Sequence, residues 1–259
     1  MRFLVLAALL SLAALAVRAG VAESSGCESI AGALRGCPRL PAVTVGGDLR
    51  VEVVTRERTL TLRPRGDEEP PCPDGKCVCK EVVQHFDFKG PVPGFRAVND
   101  EEGRAAAATT CTTASNSVLR AAVKFSVTAQ TVSTVIYELD DCRGCNGSCH
   151  GAVRLSSFDA KTGARLVLAD AVVPQLLPAL KARLIETFVA ANAGADDKAF
   201  MRKQLANDLN RDFAQDGVYV ESGAVFVNLN TWVLSCAEGS FHPMAIPVAF
   251  LSPGFRARL

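Results

Sequence analysis

The chain has little of what enzyme and nucleic-acid sites are usually built from. Its 259 residues hold three histidines and one tryptophan. With only His85, His150 and His242, a histidine-based nucleophilic site has few candidates. There is no Gly-x-Ser-x-Gly, no glycine-rich phosphate loop and no His-Glu-x-x-His. Basic tracts run no longer than a few residues, and 28 Lys and Arg stand against 27 Asp and Glu, which argues against a nucleic-acid partner. The acid pairs Asp140-Asp141 and Asp196-Asp197 read as turn and helix-cap residues rather than acid/base catalysts. Cys149 and His150 are adjacent, and neighbours on a strand point to opposite faces, so they form no dyad. The expectation is a non-enzymatic protein without a cofactor.

Long apolar runs are equally scarce. One opens the chain, "MRFLVLAALLSLAALAVRAG": Arg2, an apolar run from Phe3 to Val17, then Val17-Arg18-Ala19 before a cut. That is the layout of a secretory leader over residues 1–19, too short and wrongly flanked for a permanent span. No cysteine follows at the position a lipoprotein leader needs. The expected protein is periplasmic or secreted and has no transmembrane anchor. Losing Arg2 and Arg18 with the leader takes 28 basic residues to 26 against 27 acidic ones, a net charge of −1.

Cysteine, by contrast, is plentiful. Cys27, Cys37, Cys72, Cys77, Cys79, Cys111, Cys142, Cys145, Cys149 and Cys236 all lie beyond the leader. An even number in an oxidising compartment reads as disulfides, whose connectivity the sequence alone does not give. The roughly 240 residues after the leader are enough to bury a full core, so the bridges reinforce loops rather than replace one. The densest cluster is "CRGCNGSCHG" (142–151), which allows three readings. As a haem c site it has three residues between Cys145 and Cys149 where the usual spacing has two. As a zinc knuckle it crowds Cys142, Cys145, Cys149 and His150 into nine residues, whereas structural zinc draws on separated pairs. As disulfides tying down a turn it needs no special geometry. The same holds for "CPDGKCVC" (72–79).

The pattern of elements is α+β. Residues 20–46 are rich in Gly, Ala and Pro and read as an irregular segment closed by Cys27 and Cys37. "LRVEVVTRERTLTLRP" (49–64) alternates as two short strands or a hairpin, and the acidic, proline-rich 66–80 reads as a loop and boundary. "VKFSVTAQTVSTVIYELD" (123–140) gives two strands, and "AVRLSSFDAKTGARLVLAD" (152–170) gives two more around a turn at Asp159–Gly163. Leu177, Leu180, Leu184 and Phe188 make one helical stripe, and Met201, Leu205, Leu209 and Phe213 a second. Short strands at 217–220, 224–230 and 244–251 close the chain. The expected fold is an antiparallel sheet with a pair of amphipathic helices, stabilised by disulfides. It divides into a leader (1–19), a small β-rich, cysteine-containing part (20–80) and an α+β domain (81–259).

The order of several motifs over roughly 81–252 resembles a bacterial extracytoplasmic family. These are "KFSVTAQTVSTVIYEL", the loop "GSCHG" (147–151), "SFDAKTGARLVLADAV" (157–172) and "GVYVESGAVFVNLNTWVLSCAEGSFHPMAIP" (217–247). It is the RsiV-like domain, found in lysozyme-binding anti-sigma factors and beside some peptidoglycan deacetylases. The resemblance implies a binding role. It places His150 at a family loop histidine and Cys236 in a second family loop, which suggests a Cys149–Cys236 bridge. Ser235-Cys236 stands where the family has Pro-Tyr, removing an aromatic anchor of the kind interfaces favour. The expected chain also lacks the membrane helix and sigma-binding segment of a complete anti-sigma factor.

The function expected on these grounds is an exported cell-envelope binding module. Its partner would be a muramidase or lysozyme-like protein, or peptidoglycan, met through Gly144–Gly151 and Ser235–Gly239. The binding candidates are Gly144, His150, Trp232, Ser235 and Glu238, with Trp232 also readable as a half-buried strand residue. The alternatives are an envelope redox or metal/haem-binding protein using Cys142–His150, and a purely structural secreted protein.

Overall fold

A computed structural model describes residues 43–45, 49–63, 72, 75–112, 114–142, 149–192, 194, 197–209, 213–229 and 243–259. The expected leader and the Cys27–Cys37 segment lie outside them. The described chain is α+β, and its centre is a seven-stranded sheet in sequence order. The strands are β1 (Val43–Val45), β2 (Leu49–Leu62), β3 (Cys77–Lys89), β4 (Ser115–Val127), β5 (Thr131–Cys142), β6 (Cys149–Asp159) and β7 (Arg165–Leu166). Every neighbouring pair is antiparallel except β3 with β4, which run parallel. A parallel pair needs a crossover, and helix α1 (Gly94–Ala108) supplies it.

Two local readings change. Residues 49–62 form one long strand rather than a hairpin, because "LRVEVVTRERTLTL" has no Gly, Pro, Asn or Asp with which to turn. Residues 77–80, read as loop, begin β3, whose Leu62↔Cys77 to Arg50↔Lys89 register with β2 continues through the expected division at residue 80.

Helix α1 covers one face of the sheet with Phe95, Val98, Glu102 and Ala106, spaced three and four apart. Phe95 stacks on Phe88 with ring centroids 4.9 Å apart, and Phe158 meets both edge-on. Each fully buried phenylalanine contributes about 1.5–3 kcal/mol. At the far end of β6 the turn 159–163 carries Gly163 at φ +71°, and a Cβ there would lie 2.6 Å from the Gly94 carbonyl carbon. Only glycine closes this turn against the start of α1.

The other face packs a second, three-stranded sheet of order β10-β9-β8. After the short α2 (Leu168–Ala171) come α3 (Leu177–Asn192) and α4 (Lys198–Asp208), then β8 (Val218–Glu221), β9 (Ala224–Asn228), β10 (Pro243–Ala245) and α5 (Pro253–Arg256). β10 is shorter than the strand expected at 244–251: Pro247 leads into a 3-10 turn at Val248–Phe250. Strand alternation separates the two sides of the small sheet. Tyr219 and Phe226 face the large sheet, while Val218, Val220, Val225 and Val227 join the leucines of α3 and α4 in the largest core. The helical stripes read from the sequence are buried there, including Leu180, Leu184, Phe188, Met201, Leu205, Leu209 and Phe213.

β8 crosses the large sheet rather than running along it. Ser157 of β6 donates to the Val218 carbonyl (2.7 Å), the Val220 N–H donates to Ser133 of β5 (3.0 Å), and Ser126 of β4 donates to the Val220 carbonyl. Lys124 and Glu221 close the line with an ion pair at 2.8 Å. β8 is an edge strand, so its outward backbone groups have no ladder partner. Buried serines from three successive strands satisfy them.

Candidate functional site

Of the expected binding residues, Gly144, Trp232, Ser235 and Glu238 lie outside the described residues, as do Cys145 and Cys236 and therefore any Cys149–Cys236 bridge. His150 is placed by its backbone alone, opposite Asp140 in the β5–β6 ladder. Four cysteines are committed: Cys72 bonds Cys77, and Cys79 bonds Cys111. Met201 is buried in the main core and Met244 packs against it. His85 is half-buried on β3, and burial pulls its pKa below the ordinary histidine value.

The described stems of the two expected loops converge. β5 and β6 carry the first loop, between Cys142 and Cys149. β9 and β10, which pair Asn228 with Pro243, carry the second. Between these stems lies a cavity of about 270 Å³, lined by Glu138 of β5, Ala152–Leu155 of β6, Arg165 of β7, Gln215–Gly217 and Asn228. Gly217 makes this close approach feasible: a Cβ there would sit 1.9 Å from the Leu155 carbonyl oxygen.

One wall of the cavity is strand edge. The Asp159 N–H donates to the Ala164 carbonyl on the β7 side. Backbone groups alternate sides along a strand, so Val153 and Leu155 turn their N–H and C=O groups outward as well. β7 pairs only with Ser157 and Phe158, and Gly217 abuts Leu155. Among the described residues no strand pairs with the outer side of Val153.

The charged groups differ in how fully they are used. Arg120, wholly buried on β4, donates to Glu138 and to Glu102 of α1 (2.5 Å). It ties the helix to the sheet and occupies Glu138 from behind. Arg165 reaches Glu101 at 3.1 Å. Arg154 has only an ion pair with Glu138 at 3.7 Å, and it makes no hydrogen bond among the described residues. A partly exposed guanidinium, none of whose five donors makes a hydrogen bond among the described residues, lines the cavity.

A second polar cluster, at the far end of α1, is closed. The Glu81 carboxylate is fully buried and accepts from Arg58, from the Thr110 hydroxyl (2.6 Å) and from the Cys111 N–H (2.8 Å), with Arg56 3.7 Å away. Burial raises its pKa, but these hydrogen bonds outweigh it and bring the carboxyl down to about 2. The Cys79–Cys111 disulfide lies beside it, and Leu60, Leu62 and Val118 pack around that bridge.

Sequence reading did not single out Glu138, Arg154, Arg165, Asp216 or Gly217. The one signal was Arg154 itself, a cation between Val153 and Leu155 in an otherwise apolar stretch of strand.

No family model matches the chain, and no curated protein matches it. Among solved structures it is similar to a DUF3298 family protein from Pseudomonas aeruginosa PAO1, at 12% identity and a TM-score of 0.43, over 81% of this chain and 97% of that one. A member of the same family from Bacteroides fragilis is similar at 11% identity and a TM-score of 0.44, over 80% of this chain and 96% of that one.

Proposed function

We propose that the protein is an exported, non-enzymatic binding module of the cell envelope, with peptidoglycan or a lysozyme-like protein as its ligand. The observation that carries this reading is one polar cavity lined by Glu138 and Ala152, on the strands that carry the first loop, and by Asn228, on a strand that carries the second. The segments that leave those strands contain the expected contact residues Gly144, Trp232, Ser235 and Glu238, and His150 lies on β6 itself. One further fact agrees with an extracytoplasmic setting: the chain forms disulfides at Cys72–Cys77 and Cys79–Cys111. No helix among the described residues is long and apolar enough to cross a membrane.

The test is retention of the purified protein on immobilised lysozyme and on isolated sacculi, with an unrelated disulfide-bonded protein as control. Specific retention on either is the expected result and identifies which of the two is the ligand. Passage through both would remove the binding-module reading and leave a structural secreted protein.

A further inference from the structure

The cavity holds a combination that nothing assigned so far uses: an unpaired stretch of strand edge and an uncommitted arginine beside it. We propose that it binds the carboxyl-terminal end of a short extended peptide, which adds to the outer edge of β6 at Val153 while Arg154 takes the terminal carboxylate.

The choice of ligand follows from which groups are already spent. Glu138 is held by Arg120 from behind, and Arg165 is held by Glu101. Asp216, which also brings a carboxylate to the cavity, is not free, and its backbone is fixed on both sides, its N–H donating to the Phe213 carbonyl and its own carbonyl accepting from Leu168. Arg154 makes no hydrogen bond among the described residues, only an ion pair with Glu138 at 3.7 Å, so its guanidinium is the group open to a ligand, and the group that pairs with it is an anion. A guanidinium pairs with a carboxylate through two parallel hydrogen bonds, the strongest neutralisation open to it. The edge adds a direction. Val153 presents one N–H and one C=O outward, the pattern that an incoming extended backbone completes. About 270 Å³ accommodates two or three small residues, not a folded domain. Gly217 lies against the Leu155 carbonyl with no room for a Cβ, so a side chain there would push apart the cavity wall.

This inference deepens the binding-module reading but does not depend on its loops, because every group invoked is described. It leaves the origin of the peptide open between a peptidoglycan stem and the C-terminus of a protein. The two share the carboxylate and differ in the handedness of the last residue.

The experiment titrates the intact chain with acetyl-Ala-Ala-Ala carrying a free carboxylate, in an all-L form and in a form ending in D-alanine. Each is compared with its C-terminal amide by calorimetry and by the amide resonance of Val153. Binding of either acid, at least about tenfold tighter than its amide, with a shift and slowed exchange at Val153, is the expected result. Preference for the D-terminated acid identifies a stem peptide, and preference for the all-L acid a protein terminus. Arg154→Gln should weaken the acid by about tenfold or more while moving the melting temperature by no more than about 2–3 °C, and Arg154→Lys should recover part of the loss. Equal binding of acid and amide would overturn the proposal. So would an unaffected R154Q variant, or no binding of either acid at about 10 mM, beyond any useful affinity. Retention on sacculi that persists in R154Q, with no peptide binding, would remove the cavity and keep the envelope module. Peptide binding without such retention would do the reverse.

Discussion

Two polar clusters on the same sheet, one around Glu81 and one around Arg154, are made of similar residues and have opposite characters. At Glu81 a buried carboxylate meets two arginines, a hydroxyl and a backbone N–H. At Arg154 a guanidinium 3.7 Å from the Glu138 carboxylate lines a polar cavity that also contains Asp216 and open strand edge. The first is saturated and holds the end of α1 to β2 and β3. The second has donors and acceptors left over. A charged residue whose partners are all present contributes to stability, and one whose partners are missing at a cavity points to a ligand. The comparison can be broken by mutation, since the two clusters should respond to different assays.

The largest effect is expected at Glu81. Glu81→Ala leaves Arg58, the Thr110 hydroxyl and the Cys111 N–H without their shared acceptor. Losing one side of such a buried set costs about 3–5 kcal/mol, or roughly 10 °C in melting temperature for a chain of this size. Its pH dependence has a definite sign. The folded carboxyl titrates at about 2 against an ordinary 4.5, so the unfolded chain takes up the proton first. The stabilisation is complete above the ordinary value and drains away as pH falls from there toward about 2. Chemical denaturation from pH 6 downward should show a steeper loss for the wild type than for E81Q. Parallel slopes would mean that the cluster is not holding the ionised form.

The disulfides rank next. Cys79–Cys111 closes a separation of 32 residues and Cys72–Cys77 one of 5. Chain-entropy arguments give about 3.5 kcal/mol for the first and about 2 kcal/mol for the second. Replacing each pair by serines should reproduce that order in denaturant midpoints. The reverse order would show that Cys79–Cys111, though beside Glu81, is not part of what fixes α1.

Gly217→Ala should cost less, about 2–3 kcal/mol, because its Cβ meets the Leu155 carbonyl oxygen at 1.9 Å and the backbone must give way. Unlike the changes at Glu81, this one should also abolish peptide binding at the β6 edge. A stable G217A variant that still binds the tripeptide acid would place the ligand elsewhere.

How much of this was legible in the sequence depended on the range of the interactions. Period and turn chemistry are local, so both stripes, Leu177–Phe188 and Met201–Phe213, and the Asp159–Gly163 turn can be read directly. Helix α1 is harder. Its buried face has only Phe95, Val98 and Ala106 around Glu102, a charge at a core position, and that charge makes sense only once Arg120 from β4 is opposite. The serines at 126, 133 and 157 look like surface residues of strands. Their burial follows from β8 crossing above them, a contact between segments far apart in the chain. The cavity is invisible for the same reason. Glu138, Arg154 and Asn228 come from three separate strands, and what singles out Arg154 is that it makes no hydrogen bond among the described residues, which no sequence pattern records. Cysteine counting suggested bridges but not the Cys79–Cys111 pairing, which depends on α1 returning the chain to β3.

The smallest effect on stability is expected where the functional effect is largest. Arg154→Gln removes an ion pair at 3.7 Å between two partly exposed side chains, and such pairs contribute about 0–1 kcal/mol. Glu138 keeps Arg120, so no buried carboxylate is orphaned by the change. The melting temperature should therefore move by no more than about 2–3 °C, far less than in E81A, while affinity for the tripeptide acid falls. If R154Q instead unfolds the protein as readily as the loss of Glu81, then Arg154 belongs with the saturated cluster. Its apparent lack of partners would then have no bearing on binding. A folded R154Q that has lost the carboxylate ligand would show the two clusters to be different in kind, one spent on holding the fold and the other left open to bind.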